Sequence, residues 1–391
     1  MSFAITNIDI ITPFRILEKG TVVIDGKKIS SIGGPKEIHI PKGMKVYDGE
    51  GMMLTPGFID LLVHGGGGYG FADMSVEAVE HISEFFFSHG TTGMLAALYS
   101  KPEKDMIADV SRIAEFCRTS KGSKNVWGIH LEGPFINRDL HGAMKADYLW
   151  QPSAKGWQKL FEASQGYVRL MTIAPELPGV EEVMRAAAKN DVVLSIGHSS
   201  ANYQEVLSAI DNGAAHVTHM FNAMRPFHHR EPGVVLAALL HNELKVELIA
   251  DGVHVHPAVM KLIYKIKGDG GILLITDSIR ASGMPDGEYT FMDQKIYVKG
   301  KRAYLANKTL AGSTLTMEKA VKNMVQLVDV PLTDAVRMAS LNGAKVLGLS
   351  HHKGIIAVGK DADLTVLDKE FEVQLTVFEG SVKYSRMEPI G

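Results

Sequence analysis

The feature that most constrains the fold is a regular alternation of short apolar runs with longer segments of helical periodicity. The candidate strands are Gly57–Val63, Thr92–Leu98, Val126–Leu131, Val168–Thr172, Val192–Ile196, Ala215–Thr218, Val246–Ile249 and Ile272–Thr276. The candidate helices between most of them are Ser75–His89, Glu103–Arg118, Val180–Lys189, Tyr203–Asn212 and Pro257–Ile266. Eight such β/α units over about 290 residues predict a parallel (β/α)8 barrel of the TIM type.

A doubly wound open sheet is the alternative α/β architecture. It would need a Gly-rich phosphate fingerprint between the first strand and a helix that follows directly. The glycines at 65–68 do follow the first strand, but their spacing is not G-x-G-x-x-G. The sequence therefore favours the barrel.

Both ends of the chain show short strands without helices. These candidate strands are Thr21–Asp25 and Lys45–Tyr47 near the start, and Asp363–Leu367, Val373–Val377 and Ser381–Tyr384 near the end. We expect residues 1–54 and 350–391 to form one small β-sandwich domain, and residues 55–349 to form the barrel domain.

Composition excludes several classes of partner. Lys and Arg total 41 against 44 Asp and Glu, so the chain has no basic excess for nucleic acid or an anionic membrane. No apolar run approaches the roughly 18 residues that span a bilayer. Asp9 lies in the apolar N-terminal stretch, which predicts a strand and not a signal peptide. The single cysteine, Cys117, suits the reducing cytoplasm.

Several candidate strands end in a residue that can bind a metal or titrate. These residues are His64, Glu132, His198, His219 and Asp277. Because the carboxyl ends of barrel strands meet on one face, we expect these side chains to converge. Two imidazoles and a carboxylate are ordinary ligands of Zn²⁺ or Fe²⁺, so Glu132, His198 and His219 are predicted to bind one divalent ion.

Each residue alone has a simpler explanation. A histidine at a strand end is often a hydrogen-bonded core residue, Glu132 before Gly133 could begin a turn, and Asp277 could cap a helix. Their coincidence on separate strand ends favours a metal site. A metal lowers the pKa of water, and a nearby carboxylate can move a proton from that water to a leaving amine. Asp277 is the candidate for this proton transfer.

The segment 222–233, here called the basic loop, concentrates cationic and imidazole side chains beyond the strand that carries His219. It contains Arg225, His228, His229 and Arg230, which suit a phosphate group, although a solvated basic loop would have the same composition. His254 follows the seventh strand and adds an imidazole on the same face.

A set of motifs, in order along nearly the whole chain, resembles the N-acetylglucosamine-6-phosphate deacetylases of the amidohydrolase superfamily. The motifs are Pro56-Gly-Phe-Ile-Asp60 with His64, His130-Leu-Glu-Gly-Pro134, Gly197-His198, Thr218-His219 with Asn222-Ala-Met224, Arg230-Glu-Pro-Gly233, Ala250-Asp-Gly-Val-His254, Thr276-Asp277, Leu310-Ala-Gly-Ser313 and Gly359-Lys-Asp-Ala-Asp-Leu364. Leu-Glu-Gly-Pro, Asn-Ala-Met and Arg-Glu-Pro-Gly in this order are typical of the sugar deacetylases.

The resemblance implies hydrolysis of N-acetyl-D-glucosamine 6-phosphate to glucosamine 6-phosphate and acetate, in amino sugar catabolism. It makes Asp277 the general base and then the general acid. It implies that Asn222, Ala223 and Arg230 hold the phosphate, that His254 touches the sugar or its carbonyl, and that Ala143, Met144, Leu310, Ala311 and Gly312 line the sugar. It also implies a homodimer, in which Arg230 is the candidate to reach the site of the neighbouring subunit.

The chain departs from the resemblance at the end of the first strand. Members with two metals carry His-x-His there, whereas this chain has Leu62 before His64. A leucine cannot ligate, so we expect one catalytic metal per subunit, Zn²⁺ or Fe²⁺, with Mn²⁺ or Co²⁺ also acceptable to the ligands. His64 would then contact the ligands or the substrate without binding the metal. Met144 replaces a polar residue of some members.

Two other functions stay open. Cyclic-amide hydrolases of the superfamily place a carboxylated lysine at the end of the fourth strand, and the sequence Met171-Thr-Ile-Ala-Pro175 has none. A catalytically silent barrel that senses a sugar phosphate is the alternative from another class. Such a sensor would not need Asp277 beside three intact ligands.

Overall fold

The structure is a computed structural model that describes residues 2–73, 75–119 and 125–390. The strands of the first part of the chain are β1 (Ser2–Ile11), β2 (Ile16–Asp25), β3 (Lys28–Gly33), β4 (Lys45–Asp48), β5 (Met53–Pro56), β6 (Phe58–Val63), β7 (Gly65–Gly66), β8 (Tyr69–Gly70) and β9 (Thr91–Tyr99). The central strands are β10 (Val126–Glu132), β11 (Val168–Ile173), β12 (Val193–Ile196), β13 (Ala214–Val217), β14 (Lys245–Ile249) and β15 (Ile272–Ile275). The last strands are β16 (Gly287–Phe291), β17 (Gln294–Lys299), β18 (Arg302–Leu305), β19 (Leu364–Leu367), β20 (Val373–Phe378) and β21 (Ser381–Ser385).

Helices lie between most of the central strands and continue after them. They are α1 (Val76–Ser88), α2 (Glu103–Thr119), α3 (Ala154–Ser164), α4 (Val180–Ala188), α5 (Tyr203–Asp211), α6 (Val234–Leu240), α7 (Pro257–Lys267), α8 (Met317–Val328), α9 (Leu332–Ala339) and α10 (Leu341–Val346). Short 3-10 turns occur at Phe71–Asp73, Arg138–Leu140 and Ala146–Tyr148. Among the described residues, no helix combines the length and the apolar character needed to cross a membrane.

The predicted barrel is confirmed. An eight-stranded sheet runs in the order β15-β14-β13-β12-β11-β10-β9-β6. The ring nearly closes where Val63 bridges Ser278 in parallel and the Asp277 amide donates to the Leu62 carbonyl at 3.0 Å. Every residue of β6 and β9 is buried, as expected for strands of a barrel covered by helices.

The helices match the predicted periodicity. In α2, for example, Met106, Val110 and Ile113 are buried at helical spacing, while the opposite face carries charged residues. Such an apolar stripe gives a helix one face to bury, which is why this alternating sequence forms layers around a sheet.

Strands from both ends of the chain form a second sheet in the order β21-β20-β19-β5-β1-β2-β3, with β4 paired to β1. Its apolar side chains form one cluster that includes Ile5, Ile24, Val366 and Leu375. The expected fold class, a barrel with a β structure built from both termini, is therefore confirmed. The domain boundaries at 54/55 and 349/350 stay a prediction, and Met1 and Gly391 lie outside the described residues.

By its internal contacts the chain divides into two compact units. One contains Met1–Asp60, Ser83–Met94 and Thr316–Gly391, and the other contains Leu61–Ile82 and Leu95–Leu315. The second unit contains all of the candidate site residues named above.

The three-stranded antiparallel sheet β16-β17-β18 was not predicted. It is inserted between the last barrel strand, β15, and α8. Phe291, Met292 and Ile296 from this sheet pack with Met144 and Ala311 in one apolar cluster of the second unit. This insertion brings the tip of a hairpin to the candidate site.

Candidate active site

The three predicted metal ligands lie together at the carboxyl ends of the barrel strands. Glu132 ends β10, His198 follows β12 and His219 follows β13. Glu132 Oε1 is 3.2 Å from His198 Nε2 and 3.1 Å from His219 Nε2, and the two Nε2 atoms are 3.1 Å apart. All three residues are buried. The structure therefore brings one carboxylate oxygen and two imidazole nitrogens into a small triangle.

This triangle fits a divalent ion. Ligand atoms at about 2.0–2.1 Å from a tetrahedral centre are about 3.3 Å from each other, close to the observed separations. One carboxylate and two imidazoles are also a ligand set that first-row metals accept, and three ligands leave a position open. The residues present therefore suit the metal that the sequence predicts.

The backbone at these strand ends is unusual. The φ values of His198, His219 and Asp277 are 49°, 29° and 51°, in the left-handed region that residues other than glycine rarely adopt. Such conformations cost of order 1–3 kcal/mol each and persist only where the surrounding structure holds them. Their coincidence at three of the strand ends is typical of a functional site.

Backbone carbonyls orient two of the imidazoles. His198 Nδ1 lies 2.7 Å from the Leu140 carbonyl, and His64 Nδ1 lies 3.2 Å from the Ala97 carbonyl. Because a carbonyl can only accept, Nδ1 of His198 carries the proton, and Nε2 keeps a lone pair for a metal ion. This is the tautomer that a metal ligand needs.

His64 connects Asp277 to the three predicted metal ligands, Glu132, His198 and His219, here called the strand-end cluster. Its Nε2 is 3.2 Å from Glu132 Oε2 and 3.3 Å from Asp277 Oδ1. Burial opposes the charged imidazolium, but the hydrogen bonds to Asp277 and Glu132 outweigh it and raise the pKa of His64 to about 10. For Glu132, burial favours the neutral acid, but the close contacts with His198, His219 and His64 hold its pKa well below the ordinary value. The structure thus places Asp277 beside the cluster through a shared imidazole.

A pocket of about 470 Å³ opens over the cluster. Of the residues predicted to bind substrate, seven line it, namely Ala143, Met144, Asn222, Ala223, His254, Leu310 and Gly312. Ala311 is fully buried behind the lining, and Arg230 is exposed at the surface of the basic loop, 2.9 Å from His229 Nε2. The structure brings neither of these two residues into the pocket lining.

Several lining residues were not predicted from the sequence. They are Asp139, Leu140, His141, Gly142, Phe291, Met292, Asn307 and Thr309. The first four belong to the loop after β10, which the polar run Asn137-Arg-Asp-Leu-His-Gly142 beyond a ligand-bearing strand could have signalled. The others lie on or beside the inserted sheet, which no motif marked.

His254 is held by a carboxylate. Its Nδ1 lies 2.7 Å from Asp251 Oδ2, while Asp251 Oδ1 accepts the backbone amides of Val253 and His254 at 2.8 Å each. Burial favours the neutral acid, but the hydrogen bond and charge of His254 lower the pKa of Asp251. The pair fixes the ring of His254 at the pocket wall.

Comparison with known proteins gives a family. The Amidohydrolase family model matches residues 53–383. The chain is 35% identical over 388 residues to an N-acetylglucosamine-6-phosphate deacetylase from Bacillus subtilis, covering 98% of this chain and 97% of that protein. It is 34% identical to an N-acetylgalactosamine-6-phosphate deacetylase from Escherichia coli, covering 88% of this chain and 90% of that protein.

A solved structure agrees with the sequence comparison. It is a mutant N-acetyl-D-glucosamine-6-phosphate deacetylase from Mycobacterium smegmatis in complex with N-acetyl-D-glucosamine-6-phosphate, with a TM-score of 0.92, 32% identity and coverage of 98% of this chain and 100% of that chain. The chain therefore belongs to the amidohydrolase family, in which it groups with the N-acetylglucosamine-6-phosphate deacetylases.

Proposed function

We propose that this protein hydrolyses the acetamide of N-acetyl-D-glucosamine 6-phosphate to D-glucosamine 6-phosphate and acetate, as a step of amino sugar catabolism and recycling. The observation that carries the proposal is the buried triangle of Glu132, His198 and His219 with Asp277 beside it, in a pocket of a chain that groups with these deacetylases.

Glu132, His198 and His219 hold one divalent ion in this proposal, Zn²⁺ or Fe²⁺, with Mn²⁺ or Co²⁺ as alternatives. Such an ion supplies Lewis acidity, which lowers the pKa of water and polarises a carbonyl. Asp277 takes the proton of the attacking water as general base and then gives a proton to the leaving amine as general acid. His64, hydrogen-bonded to Asp277 and Glu132, holds both carboxylates in position and is not itself a metal ligand.

One ion per subunit follows from the residue two positions before His64. Leu62 is fully buried and apolar, so it offers no lone pair for a second ion. A second complete site would need another ligand in its place.

The substrate lies across the pocket in this proposal. Asn222, Ala223 and Arg230 hold the phosphate, His254 contacts the sugar or its carbonyl, and Ala143, Met144, Leu310, Ala311 and Gly312 form the sugar side of the site. Because Arg230 is exposed and outside the pocket lining, it acts on the neighbouring subunit of a homodimer. A cytoplasmic location stays a prediction.

The test is acetate release by the purified protein from N-acetylglucosamine 6-phosphate, its unphosphorylated form and N-acetylgalactosamine 6-phosphate, before and after chelation. We expect turnover of the phosphorylated glucosamine derivative, loss on chelation and recovery with a divalent ion. Preference for the galactosamine derivative would reassign the epimer, as the Escherichia coli relative suggests. No turnover of any of these sugars with each of the four ions would contradict the proposal.

A further inference from the structure

A second, smaller cavity lies beside the catalytic pocket. It measures about 100 Å³, and its far side is formed by polar residues that include Tyr99, Lys101 and Arg280. Both cations there are paired, Lys101 with Asp109 at 2.7 Å and Arg280 with Asp73 at 2.5 Å. We call this space the side cavity.

The catalytic pocket and the side cavity share three lining residues, His64, Phe291 and Met292. These side chains therefore form the wall between the two spaces. The ring of Phe291 packs edge to face against His64, with centroids 5.4 Å apart, and lies 5.7 Å from the ring of Tyr99. Of the three, only Phe291 and Met292 come from outside the barrel.

The hairpin between β16 and β17 fixes this wall. Phe291 pairs with Gln294, and the turn residues Met292 and Asp293 have φ values of 51° and 55°, as in a tight hairpin turn. Gln294 Nε2 donates to the Ala143 carbonyl at 2.6 Å, which ties the tip of the hairpin to the loop beyond β10. Both Phe291 and Met292 are buried.

The ring order of the strands shows which part of the substrate meets this wall. Asn222 and Ala223 follow β13, the sixth strand of the ring, whereas Tyr99 ends β9, the second strand, directly opposite. In a 2-acetamido sugar 6-phosphate, the C2 and C6 substituents leave opposite sides of the pyranose ring. If the phosphate lies by Asn222, as the proposed function requires, the acetyl group points toward His64 and Phe291.

We infer that Phe291 limits the size of the acyl group, because its ring closes the way from the catalytic pocket into the side cavity. This inference rests on the proposed function and adds a specificity-determining residue to it. In the proposed substrate pose, the methyl group of the acetyl substituent reaches the ring of Phe291 and extends no further. An acyl group with one more heavy atom needs the space behind it, and the polar lining of that space suits a hydroxylated group such as glycolyl.

The test compares release of the free amino sugar from N-acetyl, N-propionyl and N-glycolyl glucosamine 6-phosphate in the wild type and in Phe291→Ala. One added group in a fitted pocket changes kcat/KM by about 10–200-fold, so we expect F291A to raise the glycolyl-to-acetyl and propionyl-to-acetyl ratios of kcat/KM by at least about ten-fold. A ratio within one protein sample does not depend on its folded fraction. Phe291→Leu, which keeps an apolar side chain of smaller size, is expected to give a smaller rise.

Tyr297→Ala is the matched control. Tyr297 lies on the same inserted sheet, stacked on Tyr304 with centroids 6.1 Å apart, and lines neither cavity. Unchanged ratios in F291A and F291L, with acetyl hydrolysis retained, would overturn the inference, and so would an equal rise in Y297A. Failure of the proposed function is a different result, since the wild type would then release no acetate.

Discussion

The strand-end cluster and the basic loop would both serve one substrate, yet the protein holds them very differently. Glu132, His198 and His219 are buried, and His198 is oriented by a backbone carbonyl. In the loop, backbone hydrogen bonds connect Arg225 to Ser199, and Pro232 to Tyr203, but Phe227 between them is 53% exposed. Proton transfer needs groups that are fixed before the substrate binds, whereas an anion can be bound by exposed side chains that become ordered only when it binds.

The substitution with the largest expected effect on turnover is Asp277→Asn. The amide keeps the size of the side chain but cannot accept the proton, so we expect kcat to fall by about 10²–10⁴-fold. Metal content and KM should stay close to those of the wild type. Asp211→Asn, on the exposed end of α5, is the control. Retained turnover in D277N, measured as acetate release, would remove Asp277 from the chemistry.

A smaller effect is expected in the loop. Arg230→Ala removes a charged hydrogen-bond donor worth about 1.5–3 kcal/mol, which corresponds to a rise in KM of about 10–150-fold for the phosphorylated sugar with little change in kcat. Steady-state kinetics measure the two constants separately, and Arg185→Ala on α4 is the control. A fall in kcat with unchanged KM would place Arg230 with the catalytic groups instead.

Mixing the two variants tests whether Arg230 acts across a dimer. In a heterodimer of D277N and R230A, one site would combine an intact Asp277 with an intact Arg230 from the neighbour. Random exchange of subunits would then restore about a quarter of the wild-type sites. No gain in activity after denaturation and joint refolding, with a wild-type sample refolding normally, would show that Arg230 serves its own subunit or none.

The smallest expected effect concerns how the free energy of unfolding depends on pH, through a buried histidine of β13. Burial, and then the charge of Lys245, lowers the pKa of His216 to about 3. The unfolded chain binds this proton below about pH 6.5 and the folded chain does not, so the stability that the neutral ring contributes is complete above pH 6.5 and is lost as the pH falls toward 3.

His216→Gln should therefore flatten this dependence. Between pH 7 and pH 5 the wild type should lose up to about 2 kcal/mol more of its free energy of unfolding than H216Q. Denaturant unfolding at the two pH values measures it, and His229→Gln in the exposed loop is the control. Equal losses in the wild type and H216Q would mean that His216 binds its proton as readily in the folded protein as in the unfolded chain.

The parts that were predictable from the sequence are those in which one local rule decides the outcome. A run such as Phe58–Val63 must be a buried strand, and the ends of parallel strands must meet, so the convergence of Glu132, His198 and His219 followed from their positions. The helices Glu103–Thr119 and Tyr203–Asp211 were placed to within one residue by their periodicity.

The parts that were not predictable depend on distant contacts. The first strand of the inserted sheet, Gly287–Phe291, alternates only weakly, and nothing local shows that Phe291 reaches a pocket built by the barrel. The position of a residue within a motif likewise does not predict whether the residue lines the pocket. Gly312 lines the pocket, whereas its neighbour Ala311 is buried. The roles of Arg230 and His64 stay predictions that the mixing experiment and the metal content address.

The central claim is that one ion, held by the strand-end cluster, makes this chain a hydrolase. The most direct measurement is a titration of metal-free protein with Zn²⁺ or Fe²⁺ while acetate release from N-acetylglucosamine 6-phosphate is followed. We expect activity to rise in proportion to added metal and to level off at one equivalent per subunit. A plateau at two equivalents, or full activity without metal, would contradict the account.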